Sequence, residues 1–366
     1  MRSSGGKDSI FSISTVSVKD NVKEIRSKRA PLKLGDVVFD WSRTYVMGVI
    51  NITPDSFSDG GSFVHFEGDS FAVEQGNGSK GKGATGGLNK WNTSTRGPIE
   101  CSKASAGGVA VPNVKKAVEC GLSMIEAGAD ILDIGGESTR PGSDPVSEEE
   151  EKKRVIPVIR GLLEAVPGHK SVNNIPPLSI DTYKSGVAQS AIEAGASLIN
   201  DVSGLTLDAK LAYVAAETGV PIVLGHIRGT PKNMQKKVGY KDLIQDVSAE
   251  LELSMKKAME AGVEFEKIIL DPGIGFGKSP DNNLELILES GNLGKTLGRP
   301  VLVGASRKSF IGRFTGAPVH DRLPGSIAAG VMAAFHGAQI LRVHDVKETR
   351  QAVRMVDAFK KFKRVQ

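Results

Sequence analysis

Residues 46–61 read VMGVINITPDSFSDGG, and the composition of this stretch changes abruptly in its middle. The apolar run over 46–50 lacks alternating polar residues, as expected for a strand buried on both faces of a parallel sheet. From Asn51 onward come an amide, hydroxyls, carboxylates, a proline and two glycines. Such a density of hydrogen-bonding groups is typical of a loop that closes over a polar, charged ligand. The stretch therefore predicts a buried strand that leads into a binding loop.

Short apolar runs of the same kind alternate with amphipathic helical patterns along the chain. The apolar runs lie at 45–50, 131–134, 178–180, 198–200, 222–224, 268–270, 301–303 and 340–343. Helical patterns occur at 113–127, 147–166, 185–194, 207–218, 243–261, 324–335 and 346–362. Eight strands that alternate with helices predict an α/β protein with a single (β/α)8 TIM barrel. An open, doubly wound sheet is the structural alternative.

Two segments lack this alternation. Residues 62–112 are rich in Gly, Ser, Lys and Asn without a sustained period, which indicates a disordered, low-complexity insertion after strand 1. A lid or a partner-binding segment is the alternative. Residues 1–30 are rich in Ser, Lys and Arg but are interrupted by acidic residues, which favours a flexible N-terminal tail over a transit peptide. The barrel domain is therefore predicted to span residues 31–366.

The composition favours a small-molecule enzyme over a nucleic-acid or membrane protein. The chain has 366 residues, of which 39% are hydrophobic and 5% aromatic, and a net charge of +5 from scattered basic residues. This mild excess fits an acidic small-molecule substrate better than a nucleic-acid surface. No apolar run reaches membrane-spanning length. Cys101 and Cys120 lack metal-binding spacing, so we interpret both as reduced thiols of a cytoplasmic protein, with an organelle as the alternative.

Polar residues follow every predicted strand. In strand order they are Asn51, the segment 133–142, Asp181, Asn200 with Asp201, His226 with Arg228, the segment 271–278, the segment 304–309, and Arg342 with His344. An aspartate at one strand end commonly caps the next helix, and a lone histidine is more often structural than catalytic. Because the carboxyl ends of all barrel strands meet at one rim, however, we expect these side chains to converge on one site.

The predicted rim divides by charge. Carboxylate and amide groups from strands three, four and six can read the donor edge of an amino-substituted heterocycle; they are Asp181, Asn200 and Asp271. Strands seven, eight and one, adjacent on closure, supply a sector suited to phosphate. Its members are Asn51, Arg307, Lys308, Arg342 and His344. A heterocyclic substrate with an anionic leaving group fits this division.

The motifs at these strand ends resemble those of the dihydropteroate synthases, enzymes of folate biosynthesis. They are VINITPDSFSDGG, LDIGGESTRPG, SIDTYKSGVA, INDVSG, HIRGTPKNMQ, ILDPGIGFGKS, VGASRKSFIG and LRVHDVKET. They occur in the family's order and cover the chain from about residue 34 onward, except for the insertion. The resemblance implies a sulfonamide-sensitive transferase that condenses 6-hydroxymethyl-7,8-dihydropterin pyrophosphate with para-aminobenzoate, with Mg2+ assisting pyrophosphate release. It also implies that the protein binds small-molecule substrates and forms a homodimer.

The resemblance also implies a role for each matching residue. The pterin would be held by Asp181, Asn200, Asp271 and Lys308, and the pyrophosphate by Asn51, Arg342 and His344. The aminobenzoate pocket would be formed by Phe57, Thr139, Arg140, Pro141, Phe276 and Ser309. Catalysis would depend on Asp181, Lys308 and Asn51, with Asn51 near the metal. One departure is Gly225, since the family usually has apolar Met-like residues around the histidine that corresponds to His226; if Gly225 faces inward, a smaller wall beside the pterin is expected.

Two other functions are compatible with parts of this pattern. A pterin-binding methyltransferase that serves a corrinoid protein would share the barrel and the Asp/Asn set. It would have no use for the cationic segments around Lys308 and Arg342. A non-catalytic pterin-binding scaffold would use the insertion for docking. Against this alternative, the chain has intact Asn51, Thr139, Arg140 and Lys308, which favours an active enzyme.

Overall fold

The computed structural model describes residues 29–52, 114–166, 169, 174–236 and 239–363. Its strands are β1 (Leu32–Leu34), β2 (Val37–Phe39), β3 (Tyr45–Asn51), β4 (Ile131–Gly135), β5 (Leu178–Asp181), β6 (Leu198–Asp201), β7 (Ile222–Gly225), β8 (Ile268–Asp271), β9 (Leu302–Val303) and β10 (Ile340–Val343). The insertion at 62–112, residues 1–28 of the predicted tail and Phe57 lie outside the described residues.

The helices follow the strands as a barrel requires. They are α1 (Val114–Glu126), α2 (Glu148–Ala165), α3 (Ser185–Glu193), α4 (Leu211–Thr218), α5 (Leu243–Glu260), α6 (Pro280–Thr296), α7 (Ser309–Thr315), α8 (Leu323–Phe335) and α9 (Val346–Lys363). Short 3-10 helices occur at Met234–Lys236, Phe265–Lys267 and Val319–Asp321. Two helices are stopped by left-handed glycines, Gly219 after α4 and Gly316 after α7, because glycine adopts positive φ without a Cβ clash.

The large sheet closes into a barrel. Its parallel strands lie in the order β8-β7-β6-β5-β4-β3-β10-β9. A parallel bridge between Leu270 and Val301 then joins β8 to the residue that precedes β9. The predicted (β/α)8 barrel is therefore confirmed, and the open doubly wound sheet is wrong.

A small antiparallel hairpin closes the N-terminal end of the barrel. Strands β1 and β2 bring Leu32, Leu34 and Phe39 into one apolar cluster with inward-facing barrel residues. The barrel residues of this cluster are Tyr45, Met47, Ile131, Leu198, Val223, Ile269, Leu302 and Ile340. The rings of Phe39 and Tyr45 lie 4.4 Å apart. One end of the barrel is therefore dry and filled, which leaves the opposite end for a ligand.

Two expectations from composition can be compared with the structure. Cys120 is buried on α1 and is disulfide-bonded, so the interpretation of this residue as a reduced thiol is wrong. Within the described ranges, no helix is both long and apolar enough to span a bilayer.

Candidate active site

Strand alternation carries polar side chains into the barrel above the apolar layer. Side chains two residues apart on a strand share a face, so the inward series from Ile131 continues to Asp133 and Gly135. The series from Ile340 reaches Arg342 in the same way. By the same alternation Asp181, Asn200 and Asp271 follow the inward positions of β5, β6 and β8. The predicted strand-end residues thus meet at the C-terminal rim.

Arg342 is the centre of the rim. Its Nε donates to Asp133 Oδ2 at 2.6 Å, and its Nη2 donates to Asp181 Oδ2 at 2.5 Å. Asn200 Nδ2 also donates to Asp133 Oδ2, at 3.0 Å. The other carboxylate oxygens, Asp133 Oδ1 and Asp181 Oδ1, are buried and have no hydrogen-bond partner among the described residues. Because buried acceptors are costly to leave unpaired, these two oxygens suit a ligand that presents N–H donors.

Burial sets the protonation of the rim residues. Burial raises the pKa of Asp181 to about 7, although Arg342 opposes the shift. The same effect raises the pKa of Asp271, against the opposing charge of Lys308. Burial lowers the pKa of Lys308 to about 8, and Asp271 opposes that shift. For Arg342, burial works to lower the pKa, but the nearby carboxylates, Asp133 first, outweigh it and raise the pKa.

A glycine-rich loop after β8 brings two lysines to backbone carbonyls. Gly273, Gly275 and Gly277 all have positive φ, a conformation that glycine adopts without strain. The carbonyl of Ile274 accepts a hydrogen bond from Lys308 Nζ, and that nitrogen lies 4.5 Å from the Phe276 ring centroid. Lys278 Nζ donates to the Phe276 carbonyl at 2.9 Å. The loop therefore fixes an ammonium group and an aromatic face side by side.

Lys278 belongs to a second hydrogen-bonded chain that sequence reasoning missed. Its Nζ lies 2.9 Å from His226 Nδ1, and His226 Nε2 lies 2.9 Å from Glu250 Oε2. Arg228 also donates to Glu250, and its guanidinium lies 4.0 Å from the Tyr240 ring centroid. Burial lowers the pKa of Lys278 to about 7. This hydrogen-bonded series connects the glycine-rich loop to α5. We therefore interpret His226 as a structural residue that holds Lys278 in place.

The cationic sector lies beside Arg342. A Cβ placed on Gly304 would lie 3.8 Å from Arg342 Cδ and 3.9 Å from Lys308 Nζ, so the side chains of both residues pass close to a glycine that leaves room for them. His344 Nδ1 lies 3.0 Å from Ser306 Oγ. Burial lowers the pKa of His344 to about 3, with nearby arginines adding to the effect. A neutral imidazole at this position can donate one N–H to an anion.

Arg307 departs from the expected arrangement. Its guanidinium pairs with the Asp345 carboxylate at 2.8 Å, so part of its positive charge is neutralised within the protein. Its φ of 56° is unusual for a residue with a side chain. The backbone is held there because Ser326 Oγ accepts from the Arg307 N–H at 2.9 Å and Arg322 donates to its carbonyl at 3.1 Å. Strain of this kind commonly accompanies functional loops.

The remaining predicted residues lie at the edges of the rim. Asn51 is the last residue of β3. A Cβ on Gly135 would lie 3.7 Å from Asn51 Oδ1 and 3.5 Å from Asp181 Oδ2, so both oxygens lie beside Gly135. Thr139 and Phe276 are half-buried, whereas Arg140, Pro141 and Ser309 are exposed. Phe57 lies outside the described residues. The exposure of the edge residues is compatible with an entrance above the buried carboxylates.

Gly225 packs against the backbone that follows β6. A Cβ on Gly225 would lie 2.7 Å from both the Cα and the carbonyl oxygen of Val202. The backbone after β6 therefore occupies the space of a side chain at this position. The expectation of a smaller wall beside the pterin stays a prediction, and the Val202 backbone is the group that lies against Gly225.

Comparison with known proteins identifies the family. Residues 101–344, more than half of the chain, match the family model described as pterin binding enzyme. The chain is 40% identical to the dihydropteroate synthase of Clostridium beijerinckii over 89% of this chain and 98% of the relative. It is 38% identical to that of Synechocystis sp. over 90% of this chain and 94% of the relative.

Solved structures agree with this assignment. The Yersinia pestis dihydropteroate synthase, solved with a sulfonamide drug complex, has a TM-score of 0.72 and 36% identity, over 91% of this chain and all of that one. The Xanthomonas albilineans enzyme with 4-aminobenzoic acid has a TM-score of 0.68 and 36% identity, over 90% of this chain and 98% of that one. The chain therefore belongs to the pterin-binding enzymes, and within them to the dihydropteroate synthases.

Proposed function

We propose that this rim performs the family's condensation with the residues that the sequence singled out. The reaction joins 6-hydroxymethyl-7,8-dihydropterin pyrophosphate to para-aminobenzoate and releases pyrophosphate. One observation carries the assignment: Arg342 lies between two carboxylates, Asp133 and Asp181, each of which keeps a buried oxygen without a partner. The free oxygens suit the N–H groups of a pterin, and the cation beside them suits a diphosphate.

The pterin would lie against Asp181, Asn200, Asp271 and Lys308. Cleavage of the C–O bond leaves positive charge on the methylene carbon conjugated with the ring. Asp181 in its carboxylate form stabilises that charge, and Arg342 and His344 stabilise the departing pyrophosphate. The aniline nitrogen then forms the new C–N bond and releases one proton. Because the carbon is already activated, the site lowers the barrier of the second step mainly by positioning the amine.

The aminobenzoate would enter between the loop after β4 and the start of α7. Thr139, Arg140, Pro141, Phe276 and Ser309 border this entrance, and Phe57 is proposed as part of its first loop. The Yersinia enzyme was solved with a sulfonamide drug complex and the Xanthomonas enzyme with 4-aminobenzoic acid, which supports an aminobenzoate site in this fold. Closure of loops over the site would keep water from the cationic carbon.

A Mg2+ ion fits this rim only when substrate supplies most of its ligands. No group of three or more His, Cys, Asp or Glu side chains among the described residues could hold a metal. Asn51 offers an amide oxygen beside Asp181, and Mg2+ is commonly bound by one or two protein groups together with substrate phosphates. We propose Asn51 as that protein ligand; when bound, the ion would neutralise charge on the leaving pyrophosphate.

Replacing Asn51 by alanine should therefore raise the Mg2+ concentration that gives half-maximal activity by at least about fivefold, since one protein ligand of the ion is lost. Titration of Mg2+ at saturating pterin substrate measures the shift. Asn233→Ala, a change at an exposed loop amide, serves as the control. An unchanged Mg2+ requirement would remove Asn51 from the metal site.

The activity itself is tested with the purified protein. Pyrophosphate release should require both substrates, and dihydropteroate should accumulate at the same rate. A sulfonamide should raise the apparent KM for aminobenzoate without changing the maximal rate. Pyrophosphate release that is indifferent to aminobenzoate would contradict the assignment, as would inhibition that aminobenzoate does not relieve.

We also propose a homodimer formed through the face of α7, α8 and α9. Exposed apolar side chains gather there; they are Phe314, Met332, Phe335, Met355, Phe359 and Phe362. Helices α8 and α9 pack against each other, so their exposed residues share one surface. Exposed apolar side chains on neighbouring helices are typical of a protein interface, and a second copy of the chain is the occupant that the resemblance implies.

Replacing Met332 and Phe335 together by aspartate should shift the protein from dimer to monomer, because charges would enter an apolar interface. Light scattering coupled to gel filtration gives the mass directly. The matched control replaces Tyr213 and Leu253 by aspartate; these are large side chains on α4 and α5 that are at least as exposed as Met332 and Phe335. A wild-type monomer at micromolar concentration, or a control that also dissociates, would contradict this interface.

The compartment is proposed to be the cytoplasm, with an organelle as the alternative. The mitochondrial folate synthesis bifunctional protein of Arabidopsis thaliana is 36% identical over 89% of this chain and 52% of the relative. Microscopy of a fluorescent fusion to the C terminus distinguishes the two locations.

A further inference from the structure

A buried ion cluster lies beneath the loop that follows β4. Lys184 Nζ donates to Glu137 Oε2 at 2.5 Å and also to Glu151 Oε2. The side chain of Glu137 is 6% exposed and that of Glu151 only 1%. Glu137 opens the β4–α2 loop, Glu151 lies in the first half of α2, and Lys184 precedes α3. One ammonium group therefore joins three separate segments.

The cluster also closes the loop at its base. Glu137 Oε2 accepts a hydrogen bond from the Val146 N–H at 2.9 Å, so one carboxylate joins both ends of the segment 137–146. Arg154 on α2 donates to the Gly136 carbonyl at 2.9 Å. A Cβ on Gly136 would lie 2.9 Å from Glu151 Cγ, so the helix packs directly on the start of the loop. The path of the loop is fixed by these contacts at its base.

Charge explains why Lys184 is the critical member. Two buried carboxylates share one ammonium, so removal of Lys184 would leave two negative charges facing each other in a desolvated site. Burial already raises the pKa of Glu151, and Lys184 is the group that most strongly opposes the shift. Without Lys184, the carboxylates of Glu137 and Glu151 would repel each other and separate, and the hold of Glu137 on Val146 would weaken.

The cluster joins the two halves of the proposed site. Thr139, Arg140 and Pro141 lie within the loop that Glu137 closes, and Asp181 precedes Lys184 by three residues on the β5 side. We propose that Lys184 is a positioning residue: through Glu137 and Glu151 it sets the aminobenzoate loop against the pterin strand. This inference rests on the proposed function, because it assigns the loop to aminobenzoate.

The test compares KM values for the two substrates in Lys184→Met, Lys184→Arg and the wild type. In Lys184→Met the KM for aminobenzoate should rise by at least about tenfold, as expected for a misplaced binding loop. The affinity for a pterin analogue alone, measured by calorimetry, should stay within about twofold of the wild type. Lys184→Arg should recover most of the aminobenzoate affinity, because it restores the charge. Amide hydrogen exchange over 138–146 should be faster in Lys184→Met only.

Two further variants make the result decisive. Lys152→Met removes an ammonium from the outer side of α2, where Lys152 pairs with Glu148 at 2.6 Å, and should change neither KM. Glu137→Gln keeps an acceptor for Val146 and weakens only the charge pairing, so it replaces Lys184→Met if that variant does not fold. Equal losses for both substrates, or an unchanged aminobenzoate KM, would overturn the inference. A wild-type protein that forms no dihydropteroate would instead contradict the proposed function.

Discussion

Replacing Arg342 by glutamine should lower kcat/KM for the pterin pyrophosphate by at least about 1,000-fold, equivalent to about 4 kcal/mol of transition-state stabilisation. Two effects add. The variant loses the cation proposed to receive the pyrophosphate, and it leaves Asp133 and Asp181 facing each other without the guanidinium between them. Breaking a buried ion pair on one side alone commonly costs about 3–5 kcal/mol.

The measurement is steady-state pyrophosphate release with aminobenzoate saturating. Arg350→Gln provides a matched control, because Arg350 pairs with Asp130 at 3.0 Å at the opposite end of the barrel. The control should remain within about threefold of the wild type, since it lies far from the rim. Circular dichroism before and after heating separates unfolding from a catalytic loss. A folded Arg342→Gln variant with less than a tenfold loss would remove Arg342 from the pyrophosphate site.

The barrel architecture could be predicted because each strand and most helices have a recognisable local sequence pattern. Each buried parallel strand is a short apolar run, and each run ends where a polar residue begins, as at Asn51 and Asp181. The hairpin β1–β2 could not be predicted in the same way, since each of its strands has only three residues, too few to establish a period. Helix α6 was also missed, although Ser279 and Asn282 form a capping box at its start.

The rim could be predicted as a set of residues but not as a set of contacts. The positions at the strand ends identify which residues lie at the rim. Which of these residues bond to each other depends on how far each side chain extends across the barrel. Arg342 was placed with the phosphate-binding cations, yet in the structure it is bonded to two carboxylates. Asp133 was included in the polar segment 133–142 but was given no role, although it is a lone carboxylate inside an apolar strand and shares the inward face with Ile131. The cluster around Lys184 could not have been predicted, since Glu137 and Glu151 are far from Lys184 in the sequence.

The pairing changes how the site is understood. Carboxylates and cations do not occupy opposite sides of the rim, as the order of the strands suggests, but alternate through Arg342. A guanidinium already bonded to Asp133 and Asp181 is held in place before substrate arrives, so it loses little further freedom when an anion binds. The roles of the individual residues stay predictions that the variants described here test.

Asp181→Asn should lower kcat by about 100-fold while changing pterin affinity much less. Asparagine keeps the shape and one acceptor oxygen of aspartate but carries no charge, so the variant loses mainly the stabilisation of positive charge that develops as the C–O bond breaks. Asp201→Asn is the control: Asp201 is also buried, and burial raises its pKa to about 6, but its carboxylate accepts from the backbone N–H groups of Ser203 and Leu205.

The pH profile gives the sharper test of Asp181. Burial raises the pKa of Asp181 to about 7, so in the free enzyme the carboxylate form is populated only as the pH rises through that value. The pKa of Lys308 is lowered to about 8, so its positive charge is lost above that pH. Hence kcat/KM for the pterin substrate should rise as the pH passes through about 7 and fall as it passes through about 8. Asp181→Asn should abolish the rising limb and keep the falling one, whereas Asp201→Asn should keep both; a rising limb that persists in Asp181→Asn would assign it to another group.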